Sequence, residues 1–402
     1  MHLPKLFHFN STCEIAIANG SPYFNTTAIL KRFEQDFASI MQVFASENDY
    51  ILSEEKIDAE FLKLGQKLGF PPVNFVSLAE LKAKQATDSS LRFDVQSWGD
   101  SPAEDFYLKD IKHEGIGFTA DKLRVIERAF AAKLLETGLA TDWQYALLGE
   151  VQELKSSIIR SEDEAEQYLY ENLPVVFKSP FSSSGRGLMV LRKPDLNEAN
   201  RKWINTIIAQ QGYVVASKWL DKLQDFSFQF DSTTTDLHFE GVSYFCTNSN
   251  GQYQAHELNR HDFVLQEGND RVCHADLVQL GKQLQASLLQ SDLLKHHCGK
   301  FGVDGLIYRS ANGLRLHPLV EINPRHTMGA VSLALQKFIH EEARGYYRMH
   351  TVGKESYQAF IEAKQQDNPP VFEGGKMKKG VMSLTPFSSQ TKFGAYVELG
   401  LD

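Results

Sequence analysis

Cysteine is scarce in this sequence, and none of it is spaced for metal binding or for a disulfide framework. No two cysteines form a Cys-x-x-Cys pair, the usual start of a zinc site. Dense cysteine spacing would instead mark a small secreted domain held together by disulfides. The sequence therefore predicts neither kind of site, and it fits a reducing cytoplasm. The cysteines are Cys13, Cys246, Cys273 and Cys298.

Long apolar runs are also missing. A helix that spans a membrane needs about 18 or more nearly uninterrupted apolar residues, and no stretch approaches that length. The first ten residues, MHLPKLFHFN, contain neither the apolar segment nor the small-residue cleavage site of a secretory signal peptide. We therefore expect a soluble, cytoplasmic protein without a membrane partner.

Positively charged residues are fewer than negatively charged ones. The chain has 42 Lys and Arg residues against 51 Asp and Glu residues, which is a formal net charge of -9. A surface that binds nucleic acid normally shows a basic excess or a basic cluster, so we expect no nucleic-acid partner. Any anionic ligand must then be held by a local group of positive side chains.

With 42% hydrophobic and 23% charged residues, the composition is typical of a globular protein. Its 402 residues exceed the size of one ordinary domain. In the first third, apolar runs alternate with helical patterns, which is typical of an α/β layout. Ser77 and Glu80 have the spacing of a capping box at the start of a helix. The apolar runs are 6–9, 73–76 and 93–95, and the helical patterns are 27–46, 53–68, 77–87 and 119–137.

The remaining two thirds predict a small α/β lid followed by a mainly antiparallel domain. Two Asn-Gly pairs, at 250–251 and 312–313, are strong signals for hairpin turns. The predicted elements are a helix opened by Ser161 and Glu164, strands at 175–178, 188–191, 213–220 and 226–230, helices at 195–211 and 274–295, and a hairpin that joins 302–308 with 314–323.

The segment 173–191 contains two apolar strands around a loop of serines and glycines. Glycines tolerate positive φ and close approach, while serines and backbone N–H groups donate to phosphate oxygens. Lys178 and Arg186 supply the positive charge that the acidic chain otherwise lacks. The alternative is an exposed hairpin loop without a ligand. The loop residues are Ser182, Ser183, Ser184, Gly185, Arg186 and Gly187.

A second group of polar residues follows the later hairpin. Glu321 and Asn323 are two apart on a predicted strand, so their side chains project to the same face, and Asp304 lies on the partner strand. Carboxylate and amide oxygens are hard ligands of the kind that Mg²⁺ prefers. A solvated strand face is the alternative. Arg325 follows directly and suits charge that develops on phosphoryl or carboxyl oxygens.

A third segment is the apolar strand at 213–220, which runs into a polar turn before Asp225. An adenine ring could lie against the end of such a strand, with a nearby carboxylate on the ribose. An ordinary buried strand is the alternative.

Taken in order, these three segments resemble the ATP-grasp superfamily, and in places its D-alanine:D-alanine ligase branch. The resemblance covers about residues 125–335, and its most specific part is the motif Glu321-x-Asn323-Pro-Arg325 preceded by Asp304. It implies a mixed α/β and α+β fold in three parts. These are an N-terminal α/β domain (1–125), a small lid (126–212) and a C-terminal mainly antiparallel domain (213–402).

The resemblance also implies a role for each residue. Lys178 corresponds to the lid lysine on the nucleotide phosphates, and 182–187 to the mobile loop that closes over them. Arg325 corresponds to the arginine that steadies the transferring phosphoryl group and the acyl intermediate. A further phosphate-binding lysine corresponds to Lys133, with Arg128 as the alternative.

The remaining correspondences concern the base, the ribose and the metal. Asp225 corresponds to the residue that holds the ribose, with Asp221 as the alternative, and Ser217 stands where the family usually has a glutamate. The adenine hinge corresponds to Lys218, Trp219 and Leu220, and the Mg²⁺ ligands correspond to Asp304, Glu321 and Asn323.

The implied activity is that of an ATP- and Mg²⁺-dependent ligase, which phosphorylates a small-molecule carboxylate and joins the acyl phosphate to an amine. The segments 10–20 and 97–99 are candidates for lining the substrate pocket, with ordinary loop and turn roles as the alternative. A polar cluster at 256–261 is a further candidate, with a polar loop as the alternative. Two other functions stay open: a kinase-like enzyme that stops at a phosphorylated product, and a catalytically silent nucleotide-binding module. A homodimer stays open as well.

Overall fold

The computed structural model of the chain describes residues 3–114, 118, 147–149, 151–182 and 187–400. Numbered along the chain, its strands are β1 (Lys5–His8), β2 (Tyr50–Leu52), β3 (Asn74–Val76), β4 (Phe93–Ser97), β5 (His113–Glu114), β6 (Ser157–Ile159), β7 (Val175–Lys178), β8 (Leu188–Leu191), β9 (Val214–Lys218), β10 (Asp221–Ser232), β11 (Leu237–Thr247), β12 (Tyr253–Leu258), β13 (Val264–Glu267), β14 (Asp270–Cys273), β15 (Gly299–Ser310), β16 (Gly313–Asn323), β17 (Gly345–Thr351), β18 (Val371–Glu373), β19 (Lys376–Ser383) and β20 (Phe393–Leu399).

Several helices begin where a side chain accepts a free N–H group of the first turn. The capping box of Ser77 and Glu80 is present as predicted, and Ser161 accepts from the backbone N–H of Glu164. None of the helices in the described ranges is long and apolar enough to cross a membrane. The α-helices are α1 (Cys13–Asn19), α2 (Ala28–Phe37), α3 (Ala59–Lys67), α4 (Leu78–Thr87), α5 (Pro102–Leu108), α6 (Val151–Leu154), α7 (Glu162–Asn172), α8 (Glu198–Gln211), α9 (His274–Leu289), α10 (Leu293–His296), α11 (Met328–Leu335) and α12 (Tyr357–Asp367).

The chain forms two compact units. The first unit contains Met1–Phe118, Gln254–Arg260 and Arg325–Asp402, and the second contains Thr119–Tyr253 and His261–Pro324. The predicted three-part division of the chain stays a prediction.

The first unit contains a parallel sheet with the strand order β3-β2-β1-β4-β5. It also contains antiparallel pairs, in which β17 pairs with β12 and β20, and β19 pairs with β20 and β18. A buried core joins Phe7 and Phe37 near the parallel sheet with Val331, Tyr347 and Val397. This combination of parallel and antiparallel sheets confirms the predicted mixed layout.

The smaller sheet of the second unit has the order β6-β9-β7-β8 and is antiparallel throughout. Its inner face packs on α7 and α8 through Ala165, Leu169 and Ile204. Helix α8 begins at the reciprocal cap of Asn197 and Asn200 and ends at a glycine with φ of 89°, a conformation that glycine adopts without strain.

The larger sheet of the second unit contains β16, β15, β10 and β11 in that order, all antiparallel. Side chains alternate along β10, so Phe226, Phe228 and Phe230 are buried on one face while Asp225 and Ser227 lie on the other. The apolar face is covered by the stripe of α9, which consists of Leu277, Leu280, Leu284 and Leu288.

Two predicted helices are interrupted in the structure, and a third lies outside the described residues. In place of one helix at 27–46, the structure has α2 followed by a 3-10 turn at Ala38–Phe44. Residues 38–43 are all buried, so this segment packs on all sides and not through a single apolar stripe. The helix at 274–295 is broken between α9 and α10 because the Ser291 hydroxyl donates to the carbonyl of Leu288 and accepts from the N–H of Leu293. The helix at 119–137 lies outside the described residues.

The stripe of α9 offers a matched test of core packing. Leu284 is fully buried, whereas Leu289 on the same helix is 42% exposed. Leu284→Ala should lower the free energy of unfolding by about 2–5 kcal/mol, because it removes buried methyl groups and leaves a cavity. Leu289→Ala should change it by less than about 1 kcal/mol. Urea unfolding followed by circular dichroism measures both, and equal losses would contradict the assigned core.

Candidate functional site

A cavity of about 150 Å³ lies within the second unit, between residues of its smaller and larger sheets. The smaller sheet contributes Val176, Lys178, Leu188, Ser217 and Lys218, and the larger sheet contributes Asp225, Phe245, Asp304, Leu306, His317, Val320 and Glu321. Residues that are far apart in the sequence therefore share one cavity. It has an apolar wall and several charged groups, the usual make-up of a small-molecule site.

Lys178 is the last residue of β7, where it lies opposite Leu188 on β8 and Val215 on β9. Pairing on both sides holds the backbone at this position, so the lysine side chain enters the cavity from a fixed point. Its contact with an anionic ligand stays a prediction.

The serine and glycine loop begins directly after β7. Gly187 closes it through a hydrogen bond from the Ser179 N–H to the Gly187 carbonyl of 2.9 Å. A Cβ atom at Gly187 would collide with the hydroxyl groups of Ser179 and Ser182, so the close approach requires glycine here. Residues Ser183, Ser184, Gly185 and Arg186 lie outside the described residues, as do Lys133 and its alternative Arg128.

The predicted hinge follows β9, which ends at Lys218. The Trp219 N–H donates to the carbonyl of Pro174 at 2.8 Å, and the Lys222 N–H donates to that of Leu220 at 2.9 Å. Lys218, Trp219 and Leu220 all line the cavity. The structure thus brings the hinge residues to the same cavity as Lys178.

Asp225 is 9% exposed and lines the cavity from β10. Its Oδ2 accepts from the Lys222 ammonium at 2.5 Å and from the Thr247 hydroxyl at 2.9 Å. Burial raises the pKa of Asp225, although Lys222 and Thr247 favour the ionised form. Asp221, the alternative, pairs with Arg309 at 3.0 Å and does not line this cavity.

Asp304 and Glu321 lie directly opposite each other on β15 and β16, and both line the cavity. The Asn323 amide nitrogen donates to Oδ2 of Asp304 at 3.0 Å. Like charges on opposed strand positions repel unless a cation offsets them, so these residues fit Mg²⁺, which takes carboxylate oxygens and leaves positions for phosphate. In the described part of the chain, no group of three or more His, Cys, Asp and Glu residues could hold a metal by itself.

Arg325 belongs to the first unit. Its Nε lies 3.2 Å from Oε1 of Glu14, and its Nη2 donates to Oε2 of Glu14 at 3.3 Å. Nη1 donates to the His326 carbonyl at 3.2 Å. Two nitrogens of the guanidinium group therefore contact the two oxygens of one carboxylate, which is 311 residues away in the sequence. The sequence motif did not indicate this partner.

His317 lines the cavity and was missed by the sequence reasoning. It is 7% exposed, and its Nδ1 has no hydrogen-bond partner. Burial, and to a smaller extent the positive charge of Lys178, lowers the pKa of His317 to about 3. The signal was present in the sequence, because His317 is the one ionisable residue between Arg315 and Glu321.

A second cavity, of about 320 Å³, lies in the first unit at the carboxyl ends of β1, β2 and β4. This edge of a parallel sheet is the usual place for a ligand. Asn10, Thr12 and Cys13 from the predicted segment 10–20 line it. Their role in binding substrate stays a prediction.

The other predicted substrate segments have partners within the first unit. The N–H of Gly99 donates to the Asn10 side chain at 3.0 Å. In the cluster at 256–261, the Asn259 amide donates to the carbonyls of His340 at 3.0 Å and Ala343 at 2.9 Å. Asn259 therefore joins two chain segments, which gives this residue a structural role.

Acidic side chains surround His8 in the second cavity. Its Nδ1 lies 2.8 Å from Oε1 of Glu104, and the Tyr107 hydroxyl donates to Glu54 at 3.0 Å. Burial lowers the pKa of His8, but Glu104, then Glu34 and Glu54, raise it by more, so the pKa lies above its ordinary value.

The overall structure resembles solved enzymes at low sequence identity. Biotin carboxylase from Campylobacter jejuni, solved as a complex with β,γ-ATP, is 11% identical with a TM-score of 0.50, over 99% of this chain and 88% of that one. N5-carboxyaminoimidazole synthetase from Staphylococcus aureus is 12% identical with a TM-score of 0.49, over 100% and 95%. L-amino acid ligase from Bacillus licheniformis is 10% identical with a TM-score of 0.47, over 100% and 95%. No family model and no curated protein matches the sequence.

The charges around His8 give a testable order of effects. Glu104→Gln should lower the His8 pKa clearly, because it removes the largest opposing charge and leaves burial in place. Glu54→Gln, the matched control, should lower it less. The titration of the His8 ring by NMR measures both values. Equal shifts in the two variants would contradict the assigned pairing.

Proposed function

We propose that this chain, which has the ATP-grasp fold that its sequence predicts, is an ATP-dependent ligase that joins a small-molecule carboxylate to an amine. The observation that carries the proposal is the cavity of the second unit. It combines Lys178 on one wall with the opposed carboxylates of Asp304 and Glu321 on another, and with an apolar wall suited to a base.

In this proposal, different residues of the cavity bind different parts of the nucleotide. Lys178 and the loop from Ser182 to Gly187 hold the phosphates, and Asp225 holds the ribose. Lys133, with Arg128 as the alternative, is the second phosphate-binding residue of the proposal and is not among the described residues. The adenine ring is bound by the hinge residues Lys218, Trp219 and Leu220. Neutral donors and a lysine suit this task because phosphate oxygens accept several hydrogen bonds at once.

Mg²⁺ would be held by Asp304, Glu321 and Asn323, where it supplies neutralisation of the charge on the phosphate oxygens. The opposed carboxylates support this role, because their mutual repulsion favours a bound cation.

The proposed reaction has two steps. An oxygen of the carboxylate substrate attacks the terminal phosphorus of ATP, the bond to the bridging oxygen breaks, and ADP leaves. The amine then attacks the carbonyl carbon of the acyl phosphate, phosphate leaves, and the nitrogen loses a proton. The protein positions the reactants and offsets charge, with Lys178 and Arg325 as the positive groups.

Two observations support the ligase over the silent module. The cavity keeps both carboxylates opposite each other, an arrangement that suits a bound Mg²⁺ and that nucleotide binding alone does not require. Arg325 is held as a fork by Glu14, which suits a fixed charge. A kinase-like enzyme shares these features, so the requirement for an amine separates it from a ligase.

The phosphate role of Lys178 is tested by thermal unfolding with Mg-ATP. At 100 times its dissociation constant, a ligand of the native state adds about 2.7 kcal/mol of stability. Lys178→Ala should lose most of this gain, whereas Lys295→Ala, at an exposed lysine of the same unit, should keep it. Equal shifts for Lys178→Ala and wild type would remove Lys178 from the site.

The reaction is tested by release of ADP from Mg-ATP. Release should be slow with ATP alone and rise only when pools of carboxylates and amines are both present, and hydroxylamine should replace the amine and yield a hydroxamate. Glu321→Gln should lose about 100-fold or more in turnover while it stays folded, because a charge-stabilising group is removed. Glu198→Gln, at an exposed glutamate of α8, should remain active.

Other outcomes would indicate one of the two alternative functions. Turnover with a carboxylate and without any amine indicates a kinase. Tight binding of ATP without ADP release in any mixture indicates the silent module, and a fully active Glu321→Gln enzyme would show that the metal ligands are wrongly assigned.

A further inference from the structure

The imidazole of His317 is the one part of the described cavity wall with a fully buried polar atom that has no hydrogen-bond partner and no assigned role. The residue is 7% exposed, it lines the cavity, and its Nδ1 is without a partner. More than nine in ten buried polar groups in proteins are hydrogen-bonded, so an unpaired one needs an explanation. A ligand in the cavity would provide one.

The backbone around His317 holds the ring in place without help from its nitrogens. On one edge of β16, the N–H of Leu316 donates to the carbonyl of Leu147 at 2.8 Å, and the N–H of Gly149 donates to the carbonyl of Leu316 at 2.9 Å. On the other edge, His317 is opposite Leu306. The ring is thus positioned by both edges of its strand while its polar atoms stay available for a ligand.

Strand alternation places the ring on the cavity face, next to an irregularity in the sheet. The register of β15 and β16 shifts between Asp304 and Leu306, and Leu316 and Leu319 point into the apolar core while His317 lines the cavity. Any Cβ at Gly305 would approach the His317 carbonyl to 2.9 Å, so the two backbones meet closely here. A local bend of this kind often aims a side chain at a site.

The surroundings indicate which end of a nucleotide the ring meets. The charged group that acts on His317 is Lys178, and the next opposed pair along β15 and β16 is Asp304 with Glu321. These are the groups assigned above to phosphates and Mg²⁺. Apolar groups suited to a base come from both sheets, with Val176 on the smaller one and Leu306 on the larger one. The phosphate end is therefore indicated by Lys178 and the opposed carboxylates.

We propose that His317 binds the phosphate chain of the nucleotide, as a neutral imidazole whose N–H donates to a phosphate oxygen beside Lys178. The proposal rests on the proposed function for the identity of the ligand. A neutral ring carries one donor and one acceptor, and burial together with Lys178 keeps it neutral at physiological pH. The ring thereby adds a directed hydrogen bond without adding charge.

The experiment measures dissociation constants of adenosine, AMP and ADP by calorimetry. His317→Phe, which keeps a ring but has no donor, should weaken ADP binding about tenfold or more, the usual effect of losing a hydrogen bond to a charged group, and leave adenosine unchanged. His317→Gln should restore much of the affinity, because its amide also donates. His238→Phe, at an exposed histidine of β11, is the matched control and should bind like wild type.

The NMR signals of the His317 ring give a second measurement that needs no variant. They should shift with ADP and stay in place with adenosine. Equal weakening of adenosine and ADP in His317→Phe, or no weakening of either, would overturn the proposal. A wild-type protein that binds none of the three ligands overturns it together with the proposed function, whereas normal ADP binding without acceptor-dependent turnover removes the ligase reaction alone.

Discussion

The cavity of the second unit depends on the register between β15 and β16. This register sets Asp304 directly opposite Glu321, and Asn323 donates to Asp304 from the next residue of the same face. A slip by one residue would turn these side chains to the apolar face, because side chains alternate along a strand. Opposed carboxylates repel each other, and a cation bound between them would offset that repulsion.

Strand β10 contributes side chains both to the hydrophobic core of the second unit and to its cavity. Phe226, Phe228 and Phe230 pack beneath the leucine stripe of α9, while Asp225 on the opposite face lines the cavity. The apolar face holds the strand in one position, and the same backbone then presents the carboxylate. Substitutions in the core beneath β10 are therefore expected to disturb the cavity as well.

Much of the local structure could be predicted from the sequence. The cap at Ser77, the cap at Ser161 and the hairpin closed at Asn312 all depend on side chains and backbone a few residues apart, and the structure contains each of them. The break between α9 and α10 was missed because a single serine hydroxyl competes there with the helix for backbone groups.

The sequence by itself determined the alternation that places Glu321 and Asn323 on one face of a strand, and the order of segments that identified the fold. Only the tertiary structure decided which groups meet these residues. Thr247 beside Asp225 comes from another strand, and Glu14 beside Arg325 from the opposite end of the chain. The ring of His317 shares its cavity with Lys178 of the other sheet. The physical reason is that strand periodicity and capping act over a few residues, whereas the partners of a buried polar group are set by the packing of distant segments.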